Sequence, residues 1–328
     1  MKGKDCVEAG VTLPELLQHL YLGLVQGRIY VLLSMGLSII FGLMGIINFG
    51  HGVFYMLGAY VGFTILQGAP GSPNAMFFVA LALTPVALYF IGVATERSII
   101  SRVYASKNPL FMGVLVTFGL SIFMPDFVRV LWGRPGKILN IPPLLTQSFL
   151  TVGDAEFSLY RGLIILLAVI VVPLLWTLLF KTNLGMIIRA GTNDNEMVKV
   201  LGINVSRIWT FTFGLGIALA TFAGFVVAPL FAVDPTMGDD ILIQTFLVVV
   251  VGGMGSFIGP VIGGLLVGQI WALTPLVGRL AWVEANFEDT LIGPEFWEKA
   301  SDIPLFLTLS VILLVRPRGL FGKKGAFD

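Results

Sequence analysis

Two polar side chains, Asn48 and His51, stand among three glycines in the stretch GIINFGHG, from Gly45 to Gly52, inside otherwise apolar sequence. An amide and an imidazole at this spacing can both donate and accept hydrogen bonds, and polar groups inside a bilayer mark a functional position by default. Glycine at such density makes continuous helix costly. Non-helical backbone at membrane depth survives only where protein or a watery cavity surrounds it. Two readings follow. One is a tight turn between hairpin helices with His51 at their interface. The other is a discontinuous helix lining a path for a small polar solute, to which Asn48, Gly50, His51 and Gly52 contribute. A second glycine-broken element, VVVVGGMGSFIGPVIGGLLVGQ at 248–269, which includes Gly252, Gly253 and Ser256, follows late in the chain. Its Gly255, Gly259 and Gly263 are four apart, as are Gly264 and Gly268, a spacing that lays a flat strip along a helix and lets backbones approach closely. Pure helix packing explains each glycine singly. Interrupted segments in two halves of a chain point instead to a binding site between them.

A third stretch, KTNLGMIIRAGTNDNEMVKVLGINVSR from Lys181 to Arg207, is the longest basic, hydrogen-bonding interruption of the apolar sequence. Asn193 followed by Glu196 predicts a capping box, and Gly202 stands where a helix-ending glycine belongs. The short helix between them carries Met197, Val198, Val200, Leu201 and Ile203, more apolar surface than a solvated connector needs. Such a capped knob outside the bilayer is a handle for another protein.

Absences narrow the class. Past Arg28, no Asp, Glu, Lys or Arg falls in the middle of an apolar run, whereas ion-coupled carriers need ionisable groups there. Asp126 and Arg129, three apart, are expected to pair. The chain contains no G-x-x-x-x-G-K-[ST] sequence, and GLFGKKG near its end imitates one only superficially. With two histidines and one cysteine, Cys6, it offers no metal site, no disulfide framework and no nucleophile with a base, so neither an enzyme nor a resident cofactor is expected. A net charge of +1 argues against a nucleic-acid partner. What remains is a pore whose energy comes from elsewhere.

The elements that hold these stretches are membrane helices. Of 328 residues 56% are hydrophobic and only 12% charged, about half the charge of a soluble domain. Apolar runs long enough for roughly 30 Å of hydrocarbon lie at 20–47, 53–66, 75–94, 109–131, 159–180, 209–232, 241–277 and 303–315. The run at 241–277 is either two passes or one pass with a re-entrant piece. The expected fold is all-α: a single polytopic transmembrane bundle over 1–328, with about eight to nine spans and two broken or re-entrant glycine-rich elements. The segment at 95–108 is read as charged and surface-lying, and no cleavable leader is seen before residue 20. Lysine and arginine concentrate at 95–108, 181–207 and 316–324, which places these on the cytoplasmic side. Asp234, Asp239 and Asp240, and the acidic loop with Glu284, Glu288, Asp289, Glu295, Glu298 and Asp302, then face outward. Trp132 and Trp209 fall at span ends as interfacial anchors, and the side of the N-terminus stays open.

The stretch from Gly27 to Tyr60, the block from Arg189 to Gln269 and the ending RPRGLFG at 316–322 together resemble the LivH-type permease of branched-chain amino acid ABC importers. That resemblance implies a bacterial inner-membrane subunit pairing with a LivM-like second permease. It also implies two cytoplasmic ATPases, a periplasmic binding protein that delivers substrate, and the lipid bilayer as surroundings. The stretch at 181–207 becomes the coupling segment, with Arg189, Asn193, Asp194, Glu196, Met197, Leu201 and Gly202 meeting an ATPase. Glu196 and Gly202 keep the spacing of the general E-A-A-x-x-x-G pattern, while Met197 and Val198 replace its alanines. Substrate would pass beside Asn48, His51 and the segment from Gly252 to Ser256. The alternative is a secondary carrier or channel for urea, short amides or other small organic solutes.

Overall fold

Thr12 and Glu15 close a capping box that starts α1 (Leu13–Met44), the Thr12 hydroxyl accepting from the Glu15 amide at 3.4 Å and the Glu15 carboxylate from the Thr12 amide at 3.1 Å. The first apolar block thus begins earlier than residue 20 and runs as one helix of 32 residues until Gly45, at φ +64°, ends it. The computed structural model describes residues 11–68, 71–104, 106–133, 136–153, 155–280, 283, 293, 296–297 and 302–322. Cys6, Glu284, Glu288, Asp289, Glu295, Glu298, Lys323 and Lys324 lie outside the described residues.

After α1 come α2 (His51–Gly68), α3 (Pro73–Thr95), α4 (Ser101–Val103), α5 (Pro109–Trp132), α6 (Leu159–Lys181), α7 (Asn183–Asn193) and α8 (Asn195–Val200). Then follow α9 (Val205–Val227), α10 (Met237–Gly252), α11 (Ile258–Gly278) and α12 (Asp302–Val315). The all-α polytopic bundle is the observed architecture. The count of eight to nine spans is corrected: among the described residues six helices, α1, α3 with its continuation to Val103, α5, α6, α9 and α11, are long and apolar enough to cross. Of the others, α10 has 16 residues and α12 has 14, too few to qualify, while the 18 residues of α2 include His51, Gln67 and four glycines and are not apolar enough.

Outside the long helices one short sheet forms and two expectations change. The outer stretch at 132–158 holds an antiparallel hairpin, β1 (Ser148–Val152) with β2 (Ala155–Ser158). Phe157 packs its ring 5.1 Å from Tyr21, whose hydroxyl donates to the Ser158 carbonyl at 2.7 Å. The segment at 95–108 does not lie on the surface throughout, because α3 continues through a π-helical turn, Glu96–Ile100, into α4. That turn buries Glu96, which accepts from the Thr210 hydroxyl at 2.6 Å. Trp132 does end α5, its indole N–H donating to Thr64 at 2.8 Å, but Trp209 lies inside α9. Asp126 and Arg129 pair at 2.6 Å.

The core forms around α1 and α9. Of their most apolar windows 78% is buried, against 28%, 28% and 22% for α3, α5 and α6, which form an apolar outer surface for lipid or a partner. Close approach relies on missing side chains. A Cβ on Gly268 would strike the backbone of Gly27, and one on Gly224 the Tyr55 carbonyl. The Glu15–Arg279 pair, 3.4 Å, ties the start of α1 to the end of α11, so α1 starts on the face that carries the turn with Asp234, Asp239 and Asp240. At the opposite end the tail turns back, with the Leu320 and Phe321 amides donating to the carbonyls of Val251 and Gly252 at 2.8 and 3.0 Å.

Candidate translocation and coupling sites

At the first break the backbone needs partners from neighbouring helices. Gly45 caps α1 by donating to the Phe41 carbonyl at 2.8 Å, and the chain then returns along α1 until α2 starts at His51. Thr117 of α5 takes up the exposed backbone: its hydroxyl accepts from the Phe49 amide at 3.1 Å and lies 3.3 Å from the Ile47 carbonyl. Asn48 and His51 are both buried. His51 Nε2 is 3.0 Å from the Leu33 carbonyl, which can only accept, so Nε2 carries the proton. Its Nδ1 and the Asn48 Nδ2 have no partner among the described residues. One acceptor and one donor are left over in a dry place, an arrangement natural proteins rarely keep without a reason. A Cβ on Gly50 would press on Leu120 and the Asn48 side-chain Oδ1, and one on Gly52 would collide with the backbone of Gly238 on α10.

At the second break α10 ends at Gly252, whose α carbon faces Gly259 with no room for a Cβ. Gly253 at φ +98° and Gly255 at φ +76° turn the chain, so Gly255 belongs to the break and not to the glycine strip of α11. Ser256 holds both sides of the turn. Its carbonyl accepts from the Ser38 hydroxyl of α1 at 3.0 Å, and its hydroxyl accepts from the Gly259 amide at 3.1 Å.

The two breaks meet the same helix on different sides. Gly36 faces the His51 ring while Ser38 holds Ser256. At about 100° per residue, two positions along α1 are some 200° apart. Asn48, Gly50, His51 and Gly52 therefore form one cluster, and Gly252, Gly253 and Ser256 another. The second cluster opens onto the coupling stretch. A cavity of about 330 Å³ is bounded by Ser38, Gly42 and Ser256 on one side and by Arg189 and Thr192 of α7, with Phe321 of the tail, on the other.

The coupling stretch is helical nearly throughout, with a side-chain cap at each joint. Thr182 caps α7 by accepting from the Gly185 amide at 3.2 Å, Asp194 caps α8 from Met197 at 2.9 Å, and Asn204 caps α9 from Arg207 at 3.2 Å. The expected cap thus falls on Asp194, because α7 runs on to Asn193, and Glu196 occupies the first turn of α8. Gly202 ends the segment at φ +78°. Ile188 packs with Leu43 and Leu179, and Arg189 lies over the Phe180 ring at 4.7 Å. Val198 is buried, and Lys199 sits over Trp209, whose ring is tilted by 46° against Tyr104 with centroids 4.1 Å apart. Burial first, then the Glu96 charge, push the Tyr104 phenol above its ordinary range. Met197, Val200 and Leu201 face away, 56%, 80% and 70% exposed, as an apolar ridge on a firmly seated helix. Replacing the cap, Asp194→Ala, is expected to cost about 1 kcal/mol of local stability. Hydrogen exchange across 194–201 should rise several-fold while α9 stays protected.

Ser38, Thr117 and Phe321 do not stand out in the sequence as site residues. Only their position opposite the breaks reveals them.

A model of the family "Branched-chain amino acid transport system / permease component" matches residues 20–297. The chain is 30% identical to the high-affinity branched-chain amino acid transport system permease protein BraD of Pseudomonas aeruginosa, over 94% of this chain and 96% of that protein. It is 28% identical to the permease protein LivH of Escherichia coli K12 over the same shares, and 27% identical to LivM of Salmonella typhimurium over 73% of this chain and 59% of that protein. No solved structure matches it.

Proposed function

The chain belongs to the branched-chain amino acid transport system permease family, and we propose that it passes a small, branched-chain-type amino acid across the bacterial inner membrane as one subunit of an ATP-driven importer. Its partners in this reading are a LivM-like permease, two cytoplasmic ATPases and a periplasmic binding protein. Hydrolysis takes place on the ATPases, not on this chain. The observation that carries the reading is the shared cavity in which Arg189 and Thr192 of the coupling stretch meet Ser256 of a membrane break. A push on the apolar ridge at Met197, Val200 and Leu201 reaches α1 and α9 through the capped helices α8 and α7, which pack against them. In this reading Arg189, Asn193, Asp194, Glu196, Met197, Leu201 and Gly202 serve coupling. The orphaned amide of Asn48 and the imidazole of His51 meet the polar ends of the passing solute.

The test is uptake of labelled leucine into vesicles holding the complete importer, with and without ATP. Uptake that requires ATP and the loaded binding protein supports the reading. Uptake that persists without any ATPase subunit would make the chain a carrier or channel instead. In the same vesicles Asn48→Leu, which removes the spare donor, is expected to lower uptake about tenfold with the ATPases still bound.

A further inference from the structure

Neither break borders a cavity of about 300 Å³ that opens between α1, α2, α10 and α11 beside the acidic outer turn. Its volume is at the small end of the range of roughly 300–1,000 Å³ found for ligand clefts, which suits a ligand of few atoms. Gln26 and Tyr30 of α1, Tyr55 of α2, Asp240 and Gln244 of α10 and Trp271 of α11 reach it. Tyr30 and Tyr55 are each 2% exposed, and the Tyr30 hydroxyl hydrogen-bonds with Gln26. The Gln244 Oε1 is buried with no hydrogen-bond partner among the described residues. The two carboxylates at the mouth differ. Asp234 already accepts from the amide and hydroxyl of Thr236, at 2.8 and 2.7 Å, whereas no bond among the described residues engages the Asp240 carboxylate. No lysine, arginine or histidine lines the wall, and Ile29 and Ile241 complete it with aliphatic surface.

We propose that this cavity is the chamber in which the chain receives a zwitterionic amino acid: the ammonium at Asp240, the carboxylate at the tyrosine hydroxyls and glutamine amides, and the aliphatic side chain against Ile29, Ile241 and Trp271. The proposal rests on the permease reading and gives it an outer site distinct from the Asn48 cluster. The two carboxylates at the entrance, with Asp240 unengaged, draw cationic groups and turn anions away. The donors deeper in would orient the solute carboxylate inward, and an uncharged solute such as urea would leave Asp240 unused.

The test uses the complete importer in vesicles, with Cys6→Ser as background. In Asp240→Asn, ATP-driven leucine uptake at fixed binding protein should fall about tenfold, the usual scale for losing a charge-assisted hydrogen bond. ATPase activity should change less than twofold, and Asp240→Glu should recover most of the uptake. In Gln244→Cys, leucine should slow modification by a small maleimide at least fivefold, whereas urea at equal concentration should not. Wild-type levels of uptake in both Asp240→Asn and Tyr55→Phe would overturn the chamber alone, as would labelling of Cys-substituted 244 that leucine does not slow. Protection by urea equal to that by leucine would also overturn it. Absence of ATP-driven leucine uptake in the unmodified importer would overturn the permease reading together with the chamber.

Discussion

Val200→Asp combined with Leu201→Asp abolishes ATP-driven uptake and leaves the protein inserted at normal levels. Both side chains are mostly exposed, so charging them disturbs no core of this chain. An apolar ridge that meets an ATPase groove would have to bury two carboxylates there, and unpaired buried charge is among the costliest changes at an interface. Uptake should drop a hundredfold or more, and the ATPases should no longer copurify with the permease. Gly202→Pro tests the rigidity of the same handle. Gly202 holds φ +78°, and proline is fixed near −65°, so the end of α8 must be rebuilt. In that variant ATP hydrolysis should continue without transport. Normal uptake in the double aspartate variant would remove the ridge from the coupling interface.

Gly58→Leu is the second large effect, and it strikes assembly of the bundle. A Cβ at Gly58 would run into the Thr221 backbone, and Gly224 faces the Tyr55 carbonyl with equally little room. These contacts hold α2 against α9, one of the two most buried helices. Apolar tails of lipid offer no hydrophobic drive for helix association, so packing of this kind supplies much of the cohesion. Overpacking costs about 1–3 kcal/mol even where neighbours can yield, and backbone yields least. Gly58→Leu should therefore reduce folded protein in detergent several-fold. Gly119→Leu on α5 is the matched control, because a Cβ there meets nothing within 4 Å. Its thermal transition should stay within a few degrees of the parent.

Much of the fold was legible because a bilayer leaves few choices. The run at 159–180 became α6 almost residue for residue, and the glycine-rich breaks at 45–50 and 253–257 fell where dense glycine makes helix expensive. Gly202 as a helix end was legible for the same local reason. The cap beside it was misplaced by one residue because asparagine and aspartate cap equally well. Sequence alone does not choose between Asn193 and Asp194. Depth was harder still: α10 falls short of a span by its length of 16 residues, set by where the break falls, and α2 by its polar and glycine content. Nor does any local signal join Ser256 to Arg189, or set Asn48 and Ser256 on different sides of α1. Those relations arise from long-range packing. The buried Glu96 was missed because its partner, Thr210, lies 114 residues away.

The tail's return to α10 has a consequence for how the molecule is made. The carbonyls of Val251 and Gly252 receive the amides of Leu320 and Phe321, which follow α11 and α12 in the chain, so this clasp closes only after both helices have left the ribosome. Until then the end of α10 is an open clasp. A chain cut before Gly319 would leave both carbonyls without these partners.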